Sequence, residues 1–264
     1  MKSAQLLREQ ITNGSIALGT FIIELKSEAV PPILKRTGFD FFMIDAEHGF
    51  MDPHEISQLI AAGKKASICP IVRVSSPQRS IVTPIIDAGA EGILVPMIRS
   101  MDDVHTAVQS TKYPPIGYRG AHFLRPACDF ELPDDMITTC QAINRQMITA
   151  VQVETIESID IIDEMAATPG VDVLYVGPGD LSITMGSGKG LDDPEVISVV
   201  QKVCIACQKH GKIAGCHVDI PTRVTDLVRL GVQMVGMTGA LKIFWEGAAD
   251  YVKRTREGIA RGQV

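Results

Sequence analysis

The sequence predicts an α/β protein: one domain, residues 1–264, folded as a single (β/α)8 barrel. Three observations predict it. Short runs rich in β-branched and aromatic residues recur along the whole chain. These runs are continuously apolar rather than alternating, the mark of parallel strands buried on both faces. Helix-sized segments separate most of them, and β-α units repeated eight times close into a barrel.

Eight runs can be read in order: Ile16–Ile23, Phe39–Asp45, Pro70–Val74, Gly92–Pro96, Met147–Glu154, Val171–Val176, Lys212–His217 and Met234–Thr238. Between them lie helix-sized stretches such as Asp52–Lys65 and Pro194–His210. Gly38, Gly89 and Gly231 each stand where a helix should stop before a strand, a position that favours glycine. Ser3–Asn13 reads as a helix ahead of the first strand, and Ala240–Ile259 as a long last helix. The connection from Ser110 to Arg145 is too long for one simple helix. An insertion of that size is expected to shape a site or a subunit contact. No linker or low-complexity stretch divides the chain.

Composition narrows the function. The chain is 45% hydrophobic and 21% charged with a net charge of −6, enough apolar content for a large core. Without a basic surplus, a nucleic-acid partner is not expected. No window approaches the roughly 18 apolar residues of a membrane span. The first ten residues carry charges and lack the apolar core of a signal peptide, so a cytoplasmic protein is expected. The six cysteines are scattered, mostly in apolar runs. Cys204 and Cys207 form a CxxC on a helix-like segment with no second ligand pair, which reads as packing rather than zinc binding. Gly186–Gly190 lacks the Gly-Lys-Ser/Thr ending of a phosphate loop.

In such barrels chemistry sits at the C-terminal strand ends. Those ends carry Asp45, Glu47 and His48 after the second run, Arg73 near the end of the third, and Glu154 at the end of the fifth. The sixth leads into Gly177-Pro178-Gly179-Asp180, and the seventh ends at His217. Charges at the ends of buried strands are costly unless paired or bound to a metal. Glu154 and Asp180, on adjacent ends, suit a hard cation such as Mg²⁺ or Mn²⁺; a pairing of Glu154 with Arg73 also fits. Asp45 could orient His48 as a general base, or cap the turn that follows. Arg73 is a natural partner for a substrate carboxylate and its neighbouring oxygen; it could also pair with Glu47 or Asp45. No lysine sits inside the barrel near this rim, and Lys26 is only loosely placed, so a Schiff-base route is not expected.

These residues resemble the HpcH/HpaI aldolase family of metal-dependent pyruvate aldolases. The resemblance rests on Gly38-Phe39-Asp40, Asp45-Ala46-Glu47-His48, Pro70-Ile71-Val72-Arg73, Val95-Pro96-Met97, the Tyr113–Gly120 segment, Val151-Gln152-Val153-Glu154 and Gly177–Ser182, in order and with matching spacing. It implies cleavage of a 4-hydroxy-2-oxo acid to pyruvate and an aldehyde, through a pyruvate enolate stabilised by a divalent metal. Mg²⁺ or Mn²⁺ is expected foremost, with Co²⁺ or Zn²⁺ as further candidates. Glu154 and Asp180 would be the metal ligands, and Arg73 would stabilise the enolate. His48, backed by Asp45, would relay the hydroxyl proton, with Glu47 in support. Gln152 would sit beside the metal, and Gly179 and Asp180 would hold the pyruvate carboxylate through backbone N–H groups. Trimers or hexamers with C-terminal helices exchanged between subunits are also implied. Two alternatives stay open: decarboxylation of oxaloacetate through the same enolate, and a non-catalytic barrel that binds an oxo acid. The chain departs from the family at Ala46, in Gly49–Pro53, at Gly179 and in Ala121–Arg125, on the side where the aldehyde would lie.

Overall fold

The computed structural model describes residues 3–262. Eight strands close into a barrel in chain order: β1 Ala17–Ile22, β2 Phe41–Asp45, β3 Cys69–Arg73, β4 Gly92–Val95, β5 Ile148–Val153, β6 Val173–Val176, β7 Ile213–Val218 and β8 Met234–Gly239. Every neighbouring pair is parallel. Each strand falls within one of the predicted apolar runs or within two residues of its limits.

The strands are apolar throughout because both faces are covered. Along β2, Phe42 and Ile44 pack outward under the helical ring. Phe41 and Met43 alternate with them and fill the barrel together with Ile71, Leu94, Tyr175 and Met234. The N-terminal helix, Ser3–Thr12, closes the bottom, where Ala4, Leu7 and Ile11 join the interior cluster. It is pinned there by Glu91, whose Oε2 accepts from the Ala4 N–H at 2.6 Å and the Ser3 hydroxyl at 2.8 Å. Gly231, at φ 110°, ends the helix Val224–Leu230 in the left-handed conformation that glycine adopts without strain.

The long connection after the helix Met101–Thr111 holds a 3-10 turn at Pro126–Cys128 and a helix at Met136–Gln146. It is tied to the N-terminal side of the barrel. Buried Lys112 donates to Asp172 at 2.8 Å and to the Met147 carbonyl at 2.6 Å, and Arg119 pairs with Asp87 at 3.0 Å. Within one subunit, these anchors lie at the end opposite the strand ends that carry Arg73 and Glu154. Cys204 and Cys207 are buried free thiols on the helix Pro194–His210. Among the described residues no helix is long and apolar enough to cross a membrane.

Candidate active site

Strand register builds the site. Asp45 and Arg73, the last residues of β2 and β3, are direct cross-strand partners. Their side chains meet in a bidentate pair, with Arg73 Nε donating to Asp45 Oδ1 at 3.0 Å and Nη2 to Oδ2 at 2.5 Å. Asp45 Oδ1 also accepts the backbone N–H groups of Glu47 at 3.0 Å and His48 at 3.2 Å. Asp45 is fully buried. Burial disfavours its charge, but Arg73 and the two N–H groups outweigh that and hold the carboxyl below its usual value. The chain can turn this tightly because residue 49 is glycine: a Cβ there would lie 2.2 Å from the Asp45 carbonyl oxygen.

Asp45 therefore acts on Arg73 and on the backbone of the turn. The expected contact with the His48 imidazole is not formed; the Asp45 oxygens take Arg73 and the backbone of the turn instead. The ring of His48 is largely exposed, and its Nε2 lies 3.6 Å from Glu47 Oε2. Glu47 also approaches Arg73 Nε at 3.4 Å. Burial raises the Glu47 carboxyl, with Arg73 and His48 offsetting part of the rise. The alternative ion pair of Arg73 with Asp45 and Glu47 is thus formed. Its guanidinium still lines the cleft and lies 5.0 Å above the Phe21 ring.

Glu154 follows β5 directly and is 2% exposed. Its Oε1 accepts the Met97 N–H at 2.6 Å, and its Oε2 accepts from Gln152 Nε2 at 2.5 Å. Met97 has a left-handed backbone, φ 54°, so the chain carries strain where it presents that N–H. Among the described residues no lysine or arginine forms a salt bridge with Glu154; Arg73 pairs with Asp45 and offsets only part of the rise in the Glu154 carboxyl. Burial, together with the like charges of Asp180 and Glu47, pushes its carboxyl up to about 7. The carboxylate of Gln152's neighbour is thus short of positive charge, while the amide oxygen of Gln152 is buried without a partner. A hard cation would fit that donor set. Gly177 makes the approach possible: a Cβ there would sit 2.6 Å from Gln152 Nε2 and 2.8 Å from Glu154 Oε2.

Asp180 is exposed in the first turn of the helix Pro178–Thr184. His48, Arg73, Gln152, Gly179 and Asp180 line one cleft of about 290 Å³ at the barrel mouth. Glu154 and Asp45 stand buried behind that lining. Among the described residues, no three His, Cys, Asp or Glu side chains converge as a closed metal cage. Lys26 is engaged with Glu55 at 2.9 Å, outside the cleft lining.

The sequence reading puts His217 at the rim but does not pair it with Asp219. His217, at the end of β7, packs edge-on against Phe21 with ring centroids 5.3 Å apart. Its Nε2 lies 3.5 Å from Asp219 Oδ1. The available signal was their i, i+2 spacing, which places both on one face of an extended segment.

The family model described as HpcH/HpaI aldolase/citrate lyase matches residues 20–243. The chain belongs to this family. As an HpcH/HpaI protein it is an enzyme of the carbon–carbon lyase class. It is 29% identical over 233 residues to a 5-keto-4-deoxy-D-glucarate aldolase of Salmonella arizonae, covering 87% of this chain and 90% of the relative. Identity to the enzyme of that name from Citrobacter koseri is 30% over 215 residues, covering 80% and 81%. The crystal structure of an HpcH/HpaI aldolase from Desulfitobacterium hafniense DCB-2 superposes with a TM-score of 0.88 at 28% identity, covering 95% of this chain and 96% of that one.

Proposed function

We propose that the protein is a metal-dependent aldolase that cleaves a 4-hydroxy-2-oxo acid to pyruvate and an aldehyde. The observation that carries this reading is Glu154. It is a carboxylate buried at a strand end behind the cleft lining, its charge disfavoured by burial and by Asp180 and only partly offset by Arg73. Glu154 and Asp180 would hold Mg²⁺ or Mn²⁺, and that cation would supply Lewis-acid stabilisation of charge on the 2-oxo oxygen.

The protein's own residues supply the rest. Arg73 faces the cleft and binds the 2-oxo oxygen, stabilising the enolate as charge develops there. Asp45 fixes the guanidinium plane, so little reorganisation is needed during reaction. The backbone N–H groups of Gly179 and Asp180, in the first turn of their helix, hold the substrate carboxylate. His48, with Glu47 3.6 Å from its ring, takes the 4-hydroxyl proton as the C3–C4 bond breaks. Relatives named 5-keto-4-deoxy-D-glucarate aldolases support an oxo-acid substrate that carries hydroxyl and carboxylate groups beyond the pyruvyl end. A fragment of that polar kind fits the charged rim here.

The test is a condensation screen with pyruvate, Mn²⁺ and a panel of aldehydes, run beside an oxaloacetate decarboxylation assay. Carbon–carbon bond formation with at least one aldehyde, faster than oxaloacetate turnover, is the expected result. Oxaloacetate turnover alone would replace the aldolase reading with the decarboxylase one. Inertness in both assays would leave a non-catalytic oxo-acid-binding barrel.

A further inference from the structure

The glycine-rich segment Gly186–Gly190, which lacks the ending of a phosphate loop, has a fixed place in the fold. Gly186, Gly188 and Gly190 take positive φ of 86°, 62° and 54°, so the chain folds back on the helix Pro178–Thr184. Buried Ser182 of that helix holds it there. Its carbonyl accepts the N–H groups of Ser187 at 2.9 Å and Gly188 at 3.0 Å, and its hydroxyl accepts the Gly190 N–H at 2.9 Å. Gly179 and Asp180 lie in the first turn of the same helix, so the loop is tied to an element that carries part of the site.

The loop brings Lys189 to a cavity of about 200 Å³ beside the cleft. Pro178, Gly179, His217 and Asp219 line both volumes, so the two meet at the ends of β6 and β7. The other charged groups of the cavity are turned to each other. Arg223 pairs with Asp192, and Asp219 Oδ1 lies 3.5 Å from His217 Nε2. Among the described residues no carboxylate forms a salt bridge with Lys189. Asp193 feels its charge, but that carboxylate is engaged by the Ser187 hydroxyl and the Glu195 N–H. Leu191, Val218 and Ile220 supply an apolar wall. An apolar wall ending at an ammonium without a carboxylate partner complements a short chain that ends in a carboxylate.

We infer that this cavity receives the far end of the aldehyde fragment, and that Lys189 selects an aldehyde carrying a carboxylate at that end. The inference rests on the aldolase reading above. In that reading Arg73 binds the 2-oxo oxygen and the N–H groups of Gly179 and Asp180 hold the pyruvyl carboxylate. Carbons beyond C4 must then leave the cleft at its rim, and the cavity continues the cleft there. Lys189 is not part of the cleft lining and stands away from the reacting carbons. It acts on the choice of aldehyde, as a specificity-determining residue, and not on the bond that breaks.

Two four-carbon aldehydes isolate this choice: succinate semialdehyde and butanal share the reacting group and differ in the terminal carboxylate. Condensation of each with pyruvate is measured with Mn²⁺ present, and the readout is the ratio of their kcat/KM values. Wild type is expected to favour succinate semialdehyde by at least about fivefold, the scale of one partly exposed ion pair. Lys189→Met should remove most of that preference, chiefly through KM for succinate semialdehyde, and Lys189→Arg should keep it within about twofold. Lys189 is exposed on a loop, so neither substitution threatens the fold. A ratio unchanged in Lys189→Met, or a wild type that takes both aldehydes alike, would overturn the inference. So would a wild type that condenses other aldehydes but not succinate semialdehyde. A wild type that condenses no aldehyde at all would overturn the functional reading beneath it instead.

Discussion

At the residue scale, the site is organised by which carboxylate receives which cation. Arg73 goes to Asp45, bidentate and buried, and Glu154 is left with two neutral donors. The consequence is a linkage between pH and metal. The Glu154 carboxyl rises from an ordinary 4.5 to about 7 in the folded protein. A raised carboxyl keeps a proton that the unfolded chain has lost. In the metal-free protein this group therefore costs stability progressively as pH climbs from about 4.5 to about 7. A cation bound there, as proposed, would displace the same proton. Its apparent affinity should rise about tenfold per pH unit below 7 and level off above it. Titration calorimetry in buffers of different ionisation enthalpy reads this directly, as about one proton released per cation at pH 6. An affinity independent of pH from 5.5 to 8 would remove Glu154 from the ligand set. The residue scale is also where the sequence was least legible. Asp45 and His48 are three apart, and nearness along the chain suggested a dyad. The cross-strand register that gives Asp45 to Arg73 is not visible in a single sequence. His217 and Asp219 were equally legible in spacing, but the direction of a histidine ring is set by packing, here against Phe21.

At the scale of elements, strand ends and the turns after them do the positioning, and small residues allow it. Glu154, Gln152 and Gly177 come from adjacent parallel strands, so their spacing is fixed by the β5–β6 pairing, in which Val153 opposes Val176. Gly177→Ala would force a Cβ to within 2.8 Å of the Glu154 carboxylate. We expect metal affinity and turnover to fall at least about tenfold, with the thermal midpoint lowered by only a few degrees, on the scale of a 1–2 kcal/mol local strain. An unchanged metal affinity in that variant would show that the Gly177 turn does not shape the site. These elements were largely legible beforehand. A barrel strand buried on both faces must be apolar throughout, so a polar residue at its C-terminal end stands out. That logic singles out Glu154 and Arg73 as candidates from the sequence. The connection after Thr111 was legible as an insertion but not in its destination, since Lys112 and Arg119 could have paired at either end of the barrel.

At the scale of the molecule, the last helix, Ala240–Ala260, is conspicuous. Only Ala240 on it is buried, while Phe244, Trp245, Tyr251, Val252 and Ile259 are exposed. A monomer rarely leaves that much aromatic and aliphatic surface in water. The resemblance to the family implies that this helix is exchanged between subunits, and we expect self-assembly through it. Sedimentation analysis should give a trimer or larger assembly for the full chain. Trp245→Glu combined with Phe244→Glu should shift it toward monomer. A monomeric wild type at micromolar concentration would leave the helix without this role. The eight-stranded closure was readable from the spacing of apolar runs. What the last helix covers was not, because an amphipathic helix has the same pattern whether it packs on its own chain or on another.

The central claim is that Glu154 and Asp180 hold a divalent cation required for carbon–carbon bond cleavage. The most direct measurement is pyruvate release from a 4-hydroxy-2-oxo acid by chelator-treated protein, before and after adding Mn²⁺, for wild type and Glu154→Gln. The account predicts no release without the cation, restored release in wild type, and no restoration in Glu154→Gln. Turnover that survives chelation, or Glu154→Gln working at the wild-type rate, would contradict it.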